Sequence, residues 1–282
     1  MRLTLRPFDL PLRHVFAISR GATHVCRTLI VELEQDGVSG YGEAGENPFY
    51  GATMENLQAS LAQVRPHLEA SNLADPADLW ERLRPALQTS TFAQCALDLA
   101  AWDLWGKLRG QPLWKLWGLR IDGPLPVTDY TIGIDTIDVM VRKMQEFPGW
   151  PVYKIKLGTA NDLAIVRELR RHTDAVFRVD ANCAWDTQTA IRLSGPLKDL
   201  GVEFIEQPLP PDRWDDMREV VRRSALPIIA DESCGVESDV ERCHGCFHGV
   251  NVKLVKCGGL TPARRMLDRA RQLGLKTMVG CM

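Results

Sequence analysis

The chain has 282 residues, 45% hydrophobic and 25% charged, the balance of a globular protein with a real core and enough length for about two domains. Its net charge of −2 supplies no basic field for nucleic acid or an anionic membrane surface. The opening MRLTLRPFDLPL lacks the apolar run of about 7–15 residues of a signal peptide, and no later stretch reaches the roughly 18 apolar residues of a membrane span, so a cytoplasmic protein is expected.

Residues 3–5 and 28–34 read as strands, the second closed by the turn signal Asp36-Gly37. Apolar residues at helical spacing then predict helices over 53–69, 77–87 and 91–109, with Thr53, Asp75 and Ser90 as caps. Together these form a small α+β domain. Trp102, Trp105, Trp114 and Trp117 read as helix and core packing.

From Pro124 the rhythm changes to short apolar strand, turn and amphipathic helix. Strands are expected at 126–133, 151–158, 175–182, 201–208, 227–233, 249–256 and 276–280. Helices are expected near 160–172, 186–200, 212–224, 236–243 and 262–273. This alternation signals a parallel β/α sheet, either open and doubly wound or closed as a (β/α)8 barrel. Eight cysteines are too dilute for a disulfide scaffold. Cys243 and Cys246, in ERCHGCFHG with His244 and His248, lack the second paired motif of a zinc knuckle and read as a polar turn before a strand.

Five consecutive strands carry an ionisable residue near the C-terminal end: Lys156, Asp180, Glu206, Asp231 and Lys253. One such residue is ordinary surface charge or a structural ion pair. Five in register, at intervals of 22 to 26 residues, match a barrel, whose active site is built from the C-terminal ends of several strands. An open sheet offers a crevice fed by about two strands. Alternation places Lys154 and Lys156 on one face of their strand, opposite Tyr153, Ile155 and Leu157, and two lysines on a buried face need a functional interior.

Asp180, Glu206 and Asp231 would repel one another unless neutralised, and an all-oxygen set selects a hard cation, Mg²⁺ over Zn²⁺. Lys156 and Lys253, four strands apart, would face each other across an eight-stranded mouth. That arrangement suits a two-base reaction at one carbon: a metal-bound substrate carboxylate acidifies its α-proton through an enediolate, one lysine removes the proton and the other returns one to the opposite face. A lysine base must be neutral near pH 7, and Lys154 and the metal are expected to favour that form.

At these residues the sequence resembles the enolase superfamily, in its muconate-lactonizing branch. The matching pieces are Lys154-Ile155-Lys156, Val179-Asp180-Ala181-Asn182, Glu206-Gln207-Pro208, Asp231-Glu232-Ser233 and NVKLVKCGG (251–259). ALDLAAWDLWGKLRGQPLWKLWG (96–118) resembles the hinge helix of that family and GYGEAGENPFYG (40–51) its capping-domain loop. With YTIGID (130–135) and MVGCM (278–282), the chain looks most like the dipeptide epimerases acting on Ala-Glu-like substrates. No histidine lies on a barrel strand end, which argues against the His-base branch.

The resemblance implies an α/β protein with a modified TIM barrel of the (β/α)7β type over 124–282 and an N-terminal α+β capping domain over 1–123. It implies Lys156 and Lys253 as the acid–base pair, Mg²⁺ on Asp180, Glu206 and Asp231, and Lys154 supporting the substrate carboxylate. Thr131, Cys281 and Arg20, the last in the loop FAISRG (16–21), would contact substrate, with Asn182 and Glu232 in support. Thr131 also reads as a plain strand residue and Cys281 as a small core thiol. The expected partner is a small-molecule carboxylate, a dipeptide, and homo-oligomerisation stays open.

Alternatives on the same machinery are N-acylamino acid racemase, o-succinylbenzoate synthase and muconate cycloisomerase; a non-catalytic barrel is the alternative of another class. Gly258-Gly259 before Thr261-Pro262 reads as a tight turn into a Thr cap in preference to a phosphate nest. About six units of roughly 25 residues follow Pro124 where a barrel asks for eight, and the family's D-x-D strand would follow Met282, so a C-terminally incomplete barrel lacking its last strand is expected.

Overall fold

A computed structural model describes residues 1–282. β1 (Arg2–Ile18), β2 (Gly21–Gln35) and β3 (Val38–Gly45) form an antiparallel sheet in the order β1-β2-β3. The first two strands run well past 3–5 and 28–34, paired from Arg2↔Glu34 to Ile18↔Gly21. Their outer half leaves Phe8, Leu10, Leu12, Val15 and Val25 exposed, and a ribbon with so little of its surface covered shows no clean alternation to read. Residues 40–45, expected as part of a loop, belong to β3. The glycines that mask the strand signal permit its approach to a helix: a Cβ on Gly42 would meet Ala96 O at 2.0 Å.

The helices α1 (Met54–Glu69), α2 (Pro76–Leu87), α3 (Thr91–Leu108) and α4 (Leu113–Leu116) follow. Thr53 accepts from the Asn56 amide and Asp75 from those of Ala77 and Asp78, as capping requires, whereas Ser90 makes no such bond. One core is drawn from residues between Leu3 and Leu104. Trp102 packs edge-on against Trp105 and Trp117, with ring centroids 5.4 and 5.0 Å apart.

The second sheet is wholly parallel, in the order β10-β9-β8-β7-β6-β5-β4: β4 (Tyr130–Ile132), β5 (Val152–Lys156), β6 (Val176–Asp180), β7 (Val202–Glu206), β8 (Ile228–Ala230), β9 (Gly249–Lys253) and β10 (Lys276–Gly280). The links carry α5 (Ile137–Gln145), α6 (Asp162–Arg170), α7 (Thr187–Asp199), α8 (Trp214–Arg223), α9 (Glu237–Cys243), α10 (Leu254–Cys257) and α11 (Leu260–Gln272). This is the strand–helix alternation of a curled barrel-type sheet, open between β4 and β10, with Val279 on β10 61% exposed. The second core joins residues between Ile132 and Leu275. No helix is long and apolar enough to cross a membrane.

Three local expectations are corrected here. The link at 137–145 is helical. The strand expected over 249–256 stops at Lys253, and its last residues coil into α10. Cys243 closes α9 and Cys246 lies in the expected turn before β9, where His244 and Gly245 are exposed, but that turn is not polar throughout: both cysteines are buried in the second core, and the contact with Cys234 followed by burial raises the Cys243 thiol.

The seam between the helical layer and the parallel sheet revises the reading of Gly258-Gly259. Thr261 does not cap α11. Instead Asp98, on α3, accepts from the Thr261 amide at 2.9 Å and the Thr261 hydroxyl at 2.7 Å, while Trp102 Nε1 donates to that hydroxyl at 2.9 Å. The nest at the helix N-terminus is thus filled by the chain's own carboxylate. Gly259, at φ 127°, is required there because a Cβ would meet Asp98 Oδ2 at 2.3 Å. Trp80 Nε1 adds a bond to Gly258 O at 2.8 Å.

Burial raises Asp98 to about 7, against the lowering pull of its bonds to Thr261 and Leu260. A carboxyl whose folded pKa exceeds its unfolded value near 3.9 gives stability that is full below about pH 4 and lost as pH rises through about 7. The wild type should therefore lose unfolding free energy over that interval relative to Asp98→Asn. Parallel chemical-denaturation curves would contradict this.

Candidate active site

Lys156, Asp180, Glu206 and Lys253 are the last residues of β5, β6, β7 and β9, and Asp231 immediately follows β8. Parallel pairing aligns Lys156 with Asp180 and Asp180 with Glu206, and aligns Thr131 on β4 with Lys154. Because side chains alternate, these residues share one face of the sheet, while Tyr153, Ile155, Phe177 and Val179 fill the core from the other.

Asp180, Glu206 and Asp231 are fully buried, and one oxygen from each lies within 4.8 Å of the others. Lys154 bridges two of them, at 3.0 Å from Asp180 Oδ2 and 2.6 Å from Glu206 Oε2. Lys156 donates to Asp180 Oδ2 at 2.7 Å and Lys253 to Asp231 Oδ2 at 2.7 Å.

Burial opposes ionisation of all three acids. Lys154 and Lys156 overcome it at Asp180 and hold it at about 2, and Lys256 and Lys253 hold Asp231 well below the usual range. At Glu206, burial and the Asp180 charge outweigh Lys154, and the carboxyl is pushed up to about 7. Burial alone would lower Lys253, yet the attraction of Asp231 and Glu206 exceeds the repulsion from Lys154 and raises it. Lys154 is likewise raised well above its ordinary value, against burial, by Glu206 and Asp180. The neutral lysine expected from neighbouring cations is therefore not what these carboxylates favour by themselves.

Glu206 Oε2 is buried without a hydrogen bond, the nearby Lys154 ammonium notwithstanding. A converging set of three buried carboxylates, all oxygen and with no sulfur or imidazole, in which Glu206 Oε2 is held by the Lys154 charge and by no aligned hydrogen bond, fits a hard divalent cation such as Mg²⁺.

The tip of the β1–β2 hairpin lands beside this cluster. Arg20 Nη1 lies 2.7 Å from Glu232 Oε1 and 3.0 Å from Asn182 O, and its guanidinium sits 4.4 Å from the Phe49 ring centroid. The Asn182 amide donates to Asp180 Oδ1 at 2.9 Å. Asn182, Cys183 and Gln207, just past the ends of β6 and β7, hold positive φ, the strained backbone found where a site over-determines its geometry. Cys281 is exposed beyond β10. Thr131 is half-buried.

Three further residues, quoted within matching pieces of the sequence but given no role there, join the site. Asn251 Nδ2 donates to Glu206 Oε1 at 2.8 Å, and its two-residue offset from Lys253 was the available signal. Gln207 accepts through Oε1 from the Asp231 and Ser233 amides, tying the end of β7 to the turn after β8. Lys256 reaches Asp231 Oδ1 at 2.7 Å, a contact that needs the turn of α10.

Residues 3–118 match the mandelate racemase / muconate lactonizing enzyme N-terminal domain, and residues 138–282 match the enolase C-terminal domain-like family. The chain belongs to the mandelate racemase / muconate lactonizing enzyme family. This family member is 52% identical, over its whole length, to the L-Ala-D/L-amino acid epimerase of Flavobacterium johnsoniae, and spans 83% of that protein. It superposes with a TM-score of 0.90 on the Enterococcus faecalis dipeptide epimerase complexed with Mg and L-Leu-L-Tyr, at 30% identity over 100% of this chain and 82% of that one. The Cytophaga hutchinsonii dipeptide epimerase, complexed with Mg and D-Ala-L-Val, gives 0.93 at 25% identity over 100% and 80%.

Proposed function

We propose that this family member is a Mg²⁺-dependent dipeptide epimerase that inverts an α-carbon by two-base 1,1-proton transfer, with Lys156 and Lys253 as the acid–base pair and Asp180, Glu206 and Asp231 holding the metal. The observation that carries the reading is the placement of two lysines at the ends of β5 and β9, flanking three carboxylates at the ends of the strands between them. Its likeness to the F. johnsoniae and E. faecalis epimerases supports the substrate class. Mg²⁺ bound there supplies stabilisation of the negative charge that develops on a substrate carboxylate as the α-proton leaves.

The chain's own groups do the rest. Lys253, held protonated by Asp231 and Glu206, is the donor in one direction of the reaction. It becomes the acceptor in the other direction once those carboxylates are neutralised and Asp231 Oδ2 releases it. Lys156 plays the complementary part from the opposite flank, across from Lys253. Lys154, already bridging Asp180 and Glu206, supports the substrate carboxylate beside them. Arg20, Thr131 and Cys281 contact the substrate, and the hairpin carrying Arg20 helps exclude water from the reacting carbon.

Proton exchange tests this directly. With Mg²⁺ in D₂O, an Ala-Glu-like dipeptide should lose the α-proton NMR signal of its C-terminal residue and convert to the epimer. Turnover of N-acylamino acids or muconate, with dipeptides untouched, would replace the substrate class. Absence of exchange with every one of them would remove the enzyme reading.

A further inference from the structure

Lys256 is 3% exposed, three residues past Lys253 on α10. Its ammonium donates to Asp231 Oδ1 at 2.7 Å, to Asn251 O at 3.3 Å and to the Asp231 carbonyl. Those bonds use all three of its N–H donors, and two of the acceptors are backbone atoms, one on β9 and one at the end of β8. The segment that delivers it is pinned as well, because Trp80 holds Gly258 and Asp98 holds Thr261 immediately downstream. Lys253 differs. Its ammonium makes a single hydrogen bond, to Asp231 Oδ2, and nothing else retains it.

The two oxygens of Asp231 are thus held unequally, Oδ1 by a group anchored to backbone and Oδ2 by a side chain free to leave. A carboxylate with both oxygens free can grip a cation through both, a mode that Ca²⁺ accepts readily, whereas Mg²⁺ demands near-octahedral geometry with fewer protein ligands. We propose that Lys256 is a positioning residue that reserves Asp231 Oδ1, restricts Asp231 to one-oxygen coordination, and so sets the preference of the site for Mg²⁺ over Ca²⁺. The proposal rests on reading the three carboxylates as a Mg²⁺ site.

Removing Lys256 also removes a positive charge, which strengthens attraction for both dications alike. The ratio of the two affinities cancels that effect and isolates the positioning. Calorimetric titration of the metal-free protein with Mg²⁺ and with Ca²⁺ reads it without reference to turnover. In Lys256→Met the ratio should move about tenfold toward Ca²⁺, the scale on which groups orienting a ligand affect metal affinity.

A ratio within about twofold of wild type, in a folded variant, overturns the proposal while leaving the Mg²⁺ site intact. Should Lys256→Met not fold, the titrations are made on Lys256→Gln, where the same shift toward Ca²⁺ is expected and an unchanged ratio overturns the proposal. A wild-type protein that binds neither ion takes down both the metal reading and this one.

Discussion

Lys156→Met and Lys253→Met should each lower epimerisation by about 10³-fold, within the range contributed by a positioned acid or base. They should not be equivalent in D₂O. Each variant keeps one lysine, so each should still exchange the α-proton of the one stereoisomer that presents its proton to that lysine, without inverting it. The two variants should therefore label opposite stereoisomers. This follows from their opposite flanks: Lys156 lies against Asp180 at the end of β6, and Lys253 against Asp231 at the end of β8. Methionine keeps most of the buried volume of the lysine stem, so packing loss is minimised in both. If both variants labelled the same stereoisomer, or either inverted substrate at the wild-type rate, the two-base scheme would fail.

Glu206→Gln should abolish Mg²⁺ binding at concentrations that saturate the wild type, and turnover with it. Glu206 Oε2 is buried with no aligned hydrogen bond, and the neutral isostere offers the cation one charge fewer at the centre of the triad. Thermal unfolding gives a readout independent of catalysis. A ligand that binds only the folded state adds about 2.7 kcal/mol at 100 times its dissociation constant, so the wild type should gain several degrees in Tm with Mg²⁺ and the variant none. Without Mg²⁺ the variant should be at least as stable as the wild type, because it no longer buries a carboxylate beside Asp180. An equal Mg²⁺-dependent rise in Tm in both proteins would locate the metal elsewhere.

Much of the site could be read from the sequence because the rules that place it are local. Strand alternation is a period of two, and the β/α unit returns the chain to the same end of the sheet about every 25 residues. Five charges in that rhythm mark one rim whatever the packing, and the structure puts Lys156, Asp180, Glu206, Asp231 and Lys253 there. The caps at Thr53 and Asp75 are local in the same sense. β3 was hidden because glycines that let a strand press against a helix carry no strand signal.

What the sequence determined by itself was the fold class, the rim and the ion chemistry of its carboxylates, since periodicity and residue type suffice for these. Tertiary structure alone decided which groups touch. Asp98 filling the turn before α11 spans 163 residues of chain, and Lys256 reaching Asp231 spans 25 and needs a helical turn where a strand was expected. It also decided the direction in which Lys253 titrates, because burial and the balance of surrounding charges belong to the neighbours that folding brings together.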